Sequence, residues 1–233
     1  MLAALLAVVA AAAAVLFLLR GPAARCPLPS ADVVLDPGHG GSEPGAVNAA
    51  AGVIERDLNL DTSNRVAGIL RGRGLAVALT REDNATHMST WQRGRIANAC
   101  EARVFVSIHH NSVSDPVPNH VLTLYADASD IPFAQAMQDA MVRSLAEGPI
   151  YDGGLRQLRN GGMIAARMPA ALVEPVFLSN PEEAARLAAP DGARRQQIAE
   201  AIADGVIGWL EANGGLATPA PFAPAKPTPT PAG

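Results

Sequence analysis

Apolar positions along this chain follow two periods that alternate. Continuous apolar runs occur at Val33–Leu35, Leu75–Leu79, Val104–Ile108, Val121–Tyr125 and Ala171–Val173. Runs this short, bounded by turn residues, read as strands buried on both faces. Between them lie stretches with helical spacing. Asp57–Arg71 places Leu58, Val66, Ile69 and Leu70 on or near one face and is closed by Gly72 and Gly74. Ser89 can cap a helix running to about Ala99, and Ile131–Leu145 and the alanine-rich Ala193–Leu210 are helical in pattern. Asn180-Pro181-Glu182-Glu183 reads as a capping box with proline at the first helical position. Gly40–Gly52 is a polar, glycine-rich loop, and Tyr151–Arg167 reads as loop or edge strand. Strands alternating with helices predict an α/β fold: a single domain with a mostly parallel twisted sheet and helices on both faces.

Three of the apolar runs end in a residue that can bind a metal or move a proton. Val33-Val34-Leu35 runs into Asp36-Pro37-Gly38-His39-Gly40-Gly41, a glycine-rich turn carrying an imidazole. Val104–Ile108 runs into His109-His110-Asn111, and Ala171-Leu172-Val173 runs into Glu174. Ligands in open α/β sheets sit at the carboxyl ends of the strands, so His39, His109 and Glu174 could meet in one crevice. Side chains alternate along a strand, so only one of His109 and His110 points into a given site; position alone leaves that choice open. A carboxylate ending an apolar run is costly to bury without a partner, and Glu174 has no basic neighbour in sequence, which favours a functional role. Glu55, read from the residues alone, is a carboxylate at a helix start. His87 and His120 read as surface residues.

Bulk properties narrow the partners. A net charge of −4 and only 4% aromatic residues point to no nucleic-acid partner and no base-stacking platform. With 233 residues, 49% of them hydrophobic, there is enough chain for one α/β domain with a real core. Residues 1–25 open with an Ala/Leu/Val run whose length lies between a signal-peptide core and a membrane span. Export to the periplasm or cell envelope follows from either reading; cleavage and attachment to a membrane both stay open. The domain is expected over 32–213. Residues 214–233 are mainly Pro, Ala and Thr and are expected to be a disordered tail. Cys26 and Cys100 each lie just upstream of an apolar run; if those strands are neighbours, an oxidising compartment allows a disulfide.

Six blocks in order carry a resemblance. Asp36–Gly41, Glu55-Arg56-Asp57-Leu58-Asn59-Leu60, Thr80-Arg81-Glu82-Asp83, Arg93–Asn98, Ser107-Ile108-His109-His110-Asn111 and Leu172–Asn180 resemble the signature blocks of the zinc-dependent N-acetylmuramoyl-L-alanine amidases of the amidase-3 type. The resemblance runs from about Val33 to Trp209. It implies one Zn²⁺ per chain held by His39, Glu55 and His109, a general base at Glu174, and peptidoglycan as the substrate. It selects His109 over His110, because the ligand directly follows Ser107-Ile108. Arg93 and Asn98 match family positions and read as supporting residues, and His120 stands near a strand start where the family tends to have a glycine, a position from which it could border the groove. The short span between Tyr125 and Tyr151 leaves no room for an inserted autoinhibitory helix, so an open cleft is expected. Two rivals remain. One is a zinc carboxypeptidase acting on stem peptides, with Arg156, Arg159 or Arg167 as its carboxylate clamp. The other is a non-enzymatic wall-binding module.

Overall fold

The computed structural model describes residues 24–145 and 150–216. The segments 1–23 and 217–233 lie outside the described residues, and with them most of the two expected terminal segments.

The buried run Val33–Pro37 forms β1. A short hairpin follows, β2 (Val47–Asn48) within the segment read as loop and β3 (Val53–Ile54) just after it. The chain continues through α1 (Glu55–Gly72), β4 (Val77–Leu79), α2 (Thr90–Ala99), β5 (Val104–Ile108) and β6 (His120–Tyr125). After a 3-10 turn at Ala128–Asp130 come α3 (Ile131–Leu145), β7 (Tyr151–Gln157), α4 (Gly161–Ala165), β8 (Ala170–Glu174), α5 (Pro181–Ala188) and α6 (Ala193–Ala212). Ser89 caps α2 through a full capping box with Gln92. Asn180 caps α5 by accepting from the Glu183 amide, but the Glu183 carboxylate turns inward to Arg194.

The main sheet has the order β4-β1-β5-β8-β6-β7. β4, β1, β5 and β8 are mutually parallel; β6 runs antiparallel to β8, and β7 runs parallel to β6. The reversal at β6 brings the amino ends of β6 and β7 beside the carboxyl end of β8. Helices cover both faces. Val33, Leu35, Val106 and Val173 face α1, α3 and α6; Val34, Phe105 and Leu172 face α2 and α4. α3, which fills the Tyr125–Tyr151 span, packs on α6 with Phe133 against Trp209 at 5.3 Å. It belongs to the core rather than to the cleft, in agreement with the expected open site.

At the amino ends of β1 and β5 the backbone amide of Ala31 donates to Cys100 O, and Cys26 and Cys100 form a disulfide. The condition set by the sequence is met, because β1 and β5 are adjacent. The bridge closes a span of 74 residues and ties the segment before β1 to the end of α2.

Candidate metal centre

β1 delivers His39 into a turn with φ of 63° at His39, 134° at Gly40 and 59° at Gly41. A histidine in the left-handed region is strained and must be held there. Two buried arginines hold it. Arg93 of α2 donates to Asp36 Oδ1 at 2.8 Å, to Pro37 O at 2.7 Å and to His39 O at 2.6 Å. Arg81 donates to Pro37 O, to Gly38 O and to Arg56 O, all within 3.0 Å. Three successive carbonyls of the turn are therefore clamped by guanidinium groups that cannot lose their charge at neutral pH. Asp36 compensates that charge and also accepts from Thr80 Oγ1 and Ser107 Oγ. Burial alone would push the Asp36 carboxyl up, but the Arg93 charge and these hydrogen bonds hold it below its usual range.

Glu55 is the first residue of α1, presented by the β2–β3 hairpin. Its Oε2 accepts from the Ala46 amide at 2.9 Å, and its Oε1 accepts from Asn59 Nδ2 at 3.3 Å. His109 follows β5, its amide donating to Val173 O of β8. The three side chains converge. His39 Nε2 lies 3.1 Å and His109 Nδ1 2.9 Å from the same Glu55 oxygen. One donor atom from each of the three falls within 4.8 Å of the others. Two glycines leave the space: a methyl group at Gly38 would collide with the His109 ring, and one at Gly45 would lie 2.5 Å from Glu55 Oε2. Burial works against ionised Glu55, but the His109 and His39 partners prevail and hold its carboxyl well below the usual range.

Glu174 ends β8 on the sheet face that carries Leu172, and it is partly exposed. Burial, with the Glu55 charge adding to it, pushes its carboxyl up against the opposing influence of His109, Asn111 and Arg156. A carboxylate with raised proton affinity beside a cluster of metal-binding donors is suited to carry a proton. The site opens into a cavity of about 340 Å³ whose lining includes His39, His109, Glu43, His87, Ser89 and Asn160.

The structure thus brings His39, Glu55 and His109 together and places Glu174 within reach of their charges. His110 points to the opposite sheet face and is fully buried, with Nδ1 2.8 Å from Asn59 Oδ1. Burial pulls its pKa down to about 4. Asn98, read as a supporting residue, bonds Ala165 O and the Arg167 amide. His87 is exposed on the cavity rim, while His120 is half-buried, so of its two sequence readings the plain surface one does not hold. Its ring is held between Tyr151 at 4.9 Å and Phe177 at 4.4 Å, because the reversed β6 starts beside the end of β8. Asp36, Arg81 and Asn59 escaped notice as functional groups. Each is an ordinary surface type in sequence, and the signal was that all three sit inside the blocks of the resemblance.

Two imidazoles and a carboxylate converging at strand ends, with room on the cavity side, fit a divalent transition metal with three protein ligands and an open position. This defines a class: α/β domains with a two-histidine, one-carboxylate centre at the carboxyl edge of the sheet. The chain belongs to the N-acetylmuramoyl-L-alanine amidase family, whose sequence model matches residues 33–208. It is 29% identical over 187 residues to the N-acetylmuramoyl-L-alanine amidase LytC of Bacillus subtilis, covering 78% of this chain and 36% of that protein. It is 28% identical to the germination-specific amidase of the same organism, covering 81% and 83% of the two chains. Among solved structures, the amidase AmiC2 of Nostoc punctiforme superposes with a TM-score of 0.70 at 34% identity, covering 77% of this chain and 96% of that one. An amidase of Clostridium difficile 630 superposes with a TM-score of 0.72 at 29% identity, covering 79% and 99%.

Proposed function

We propose that this chain hydrolyses the amide bond between N-acetylmuramic acid and L-alanine in peptidoglycan, using one zinc ion held by His39, Glu55 and His109. The observation that carries this reading is the convergence of those three donors within 4.8 Å at the strand ends of a family member. Zinc bound there would polarise the scissile carbonyl and acidify an attacking water. The remaining work falls to the chain's own residues. Glu174 takes a proton from the attacking water and returns it to the departing L-alanine nitrogen. Its raised proton affinity serves the second half of that cycle. Asn59 donates to Glu55 Oε1 and to Gly38 O, so one amide side chain aligns a ligand and the turn that carries another. Arg81 and Arg93 keep His39 in its strained conformation before any substrate arrives, so no reorganisation is needed in the reaction.

The catalytic domain is assigned to residues 32–213. The Cys26–Cys100 disulfide supports an exported protein of the periplasm or cell envelope. Among the described residues, no helix is long and apolar enough to cross a membrane. Attachment or cleavage through residues 1–25, most of which lie outside the described region, remains part of the proposal to be tested on the full chain.

The test is metal analysis with a muropeptide assay. The purified protein should hold one zinc per chain, and a chelator should abolish turnover. His39→Ala and His109→Ala should each lose most of the metal, while His110→Ala should be less stable yet keep it. If His110→Ala empties the site and His109→Ala does not, the ligand assignment is overturned.

A further inference from the structure

The face of the sheet that carries Glu174 continues past it towards the β7 edge. Strand register fixes which side chains share that face. Glu174 pairs with Leu122, and Leu124 pairs both with Leu172 and with Arg156. His120 pairs with Tyr151 at the start of the same two strands. A register shift between Val121 and Thr123, at the Gly153-Gly154 pair, puts both Tyr151 and Arg156 on the Glu174 side. Asp152 and Leu155 face the other way, Asp152 to Gln138 and Leu155 to the core. The strip running outward from Glu174 is thus His120, Tyr151 and Arg156.

The members of this strip are held in place by their neighbours. His120 is fixed by rings on two sides, and its Nδ1 is buried with no partner among the described residues. Tyr151 is 54% exposed. The packing of His120 requires Gly153, where an added methyl group would collide with its ring. The Arg156 side chain is exposed and makes no hydrogen bond or ion pair among the described residues, unlike that of Arg159, which pairs with Asp127. Its positive charge nevertheless reaches both Glu174 and His120. An unpaired guanidinium two strands from a proton-carrying carboxylate, beside an aromatic shelf, is a receptor for an anion attached to the substrate.

We infer that the His120–Tyr151–Arg156 strip receives the peptide arm of the substrate, with Arg156 pairing a free carboxylate of that peptide and Tyr151 covering its backbone. The inference rests on the proposed hydrolysis at the His39–Glu55–His109 centre and adds a specificity determinant to it. Arg156 is a binding residue and takes no part in bond breaking.

The experiment compares two soluble substrates, one with the free carboxylates of its peptide and one with them amidated. The quantity read is the ratio of kcat/KM for the free form to that for the amidated form. Wild type should favour the free form. Arg156 is solvent-exposed, where a charge pair is screened, so Arg156→Gln should lower the ratio by about fivefold, mainly through KM. Arg156→Lys should restore part of it. The same ratio, read as Kd for the two peptides on the Glu174→Gln protein by calorimetry, gives the answer without turnover. A ratio unchanged in Arg156→Gln overturns the inference. Product masses judge the parent reading separately: release of single amino acids by wild type would sink the amidase assignment while the ratio still scores Arg156.

Discussion

Breaking the Arg93–Asp36 pair should expose how the His39 turn is held. Both side chains are at most 6% exposed and meet at 2.8 Å. Arg93→Met removes three donated hydrogen bonds and leaves the Asp36 carboxylate buried with only the hydroxyls of Thr80 and Ser107. Removing one partner of a buried ion pair costs about 3–5 kcal/mol, because the other charge is stranded. A domain with about 5–15 kcal/mol of stability survives that loss, so the variant remains measurable. Adding Asp36→Asn takes away the stranded charge, so the double variant should recover most of the loss and the two changes should be strongly non-additive. Asp36 also makes the loss depend on pH. Its folded pKa is depressed, so in wild type its contribution is present at neutral pH and is lost as pH falls through the folded value. In Arg93→Met that contribution is gone at neutral pH and the acid-side decline flattens. Equilibrium urea unfolding in the presence of chelator, across pH, measures all of this without a contribution from bound metal. A cost below about 1 kcal/mol, or a double variant in which the two costs simply add, would refute the clamp.

Other outcomes follow from the site and the bridge. Glu174→Gln should keep its zinc while turnover falls by about 10²–10⁴, whereas Glu55→Gln should lose zinc occupancy and activity together; the opposite pattern in metal analysis would exchange their roles. Because the Glu174 carboxyl is raised above its ordinary 4.5, it weakens the chelated fold as pH rises through the raised value. Chelated Glu174→Gln should therefore melt above chelated wild type at neutral pH, and the gap should close below pH 4.5. Cys100→Ser frees a loop spanning 74 residues and should cost about 2–4 kcal/mol in denaturant unfolding.

Much of the architecture was legible because buried parallel strands are written as uninterrupted apolar runs. The runs at Val33, Val104 and Ala171 each became a strand that ends in, or within two residues of, a candidate site residue. The reversal of β6 was not legible, since an apolar run has no direction, and it is the reversal that makes His120 a held ring beside Glu174 rather than a surface residue. Glu55 was the least visible of the three candidate ligands. A carboxylate at a helix start looks the same whether it serves the helix dipole or a cation, and only folding brings it within 3.1 Å of His39. The choice between His109 and His110 needed the resemblance, and the pleat then placed them on opposite faces. Arg81 and Arg93 show a general limit: their work is done on backbone carbonyls of a distant turn, and nothing in a sequence marks a carbonyl as needing a partner.

The central claim is the bond that is cut, and product masses from a peptidoglycan digest test it most directly. Zinc-loaded protein should release intact stem peptides with a new amino-terminal L-alanine and leave glycan strands bearing free lactyl carboxyl groups. Release of single amino acids from the peptide ends, or binding to peptidoglycan with no products at all, would contradict it.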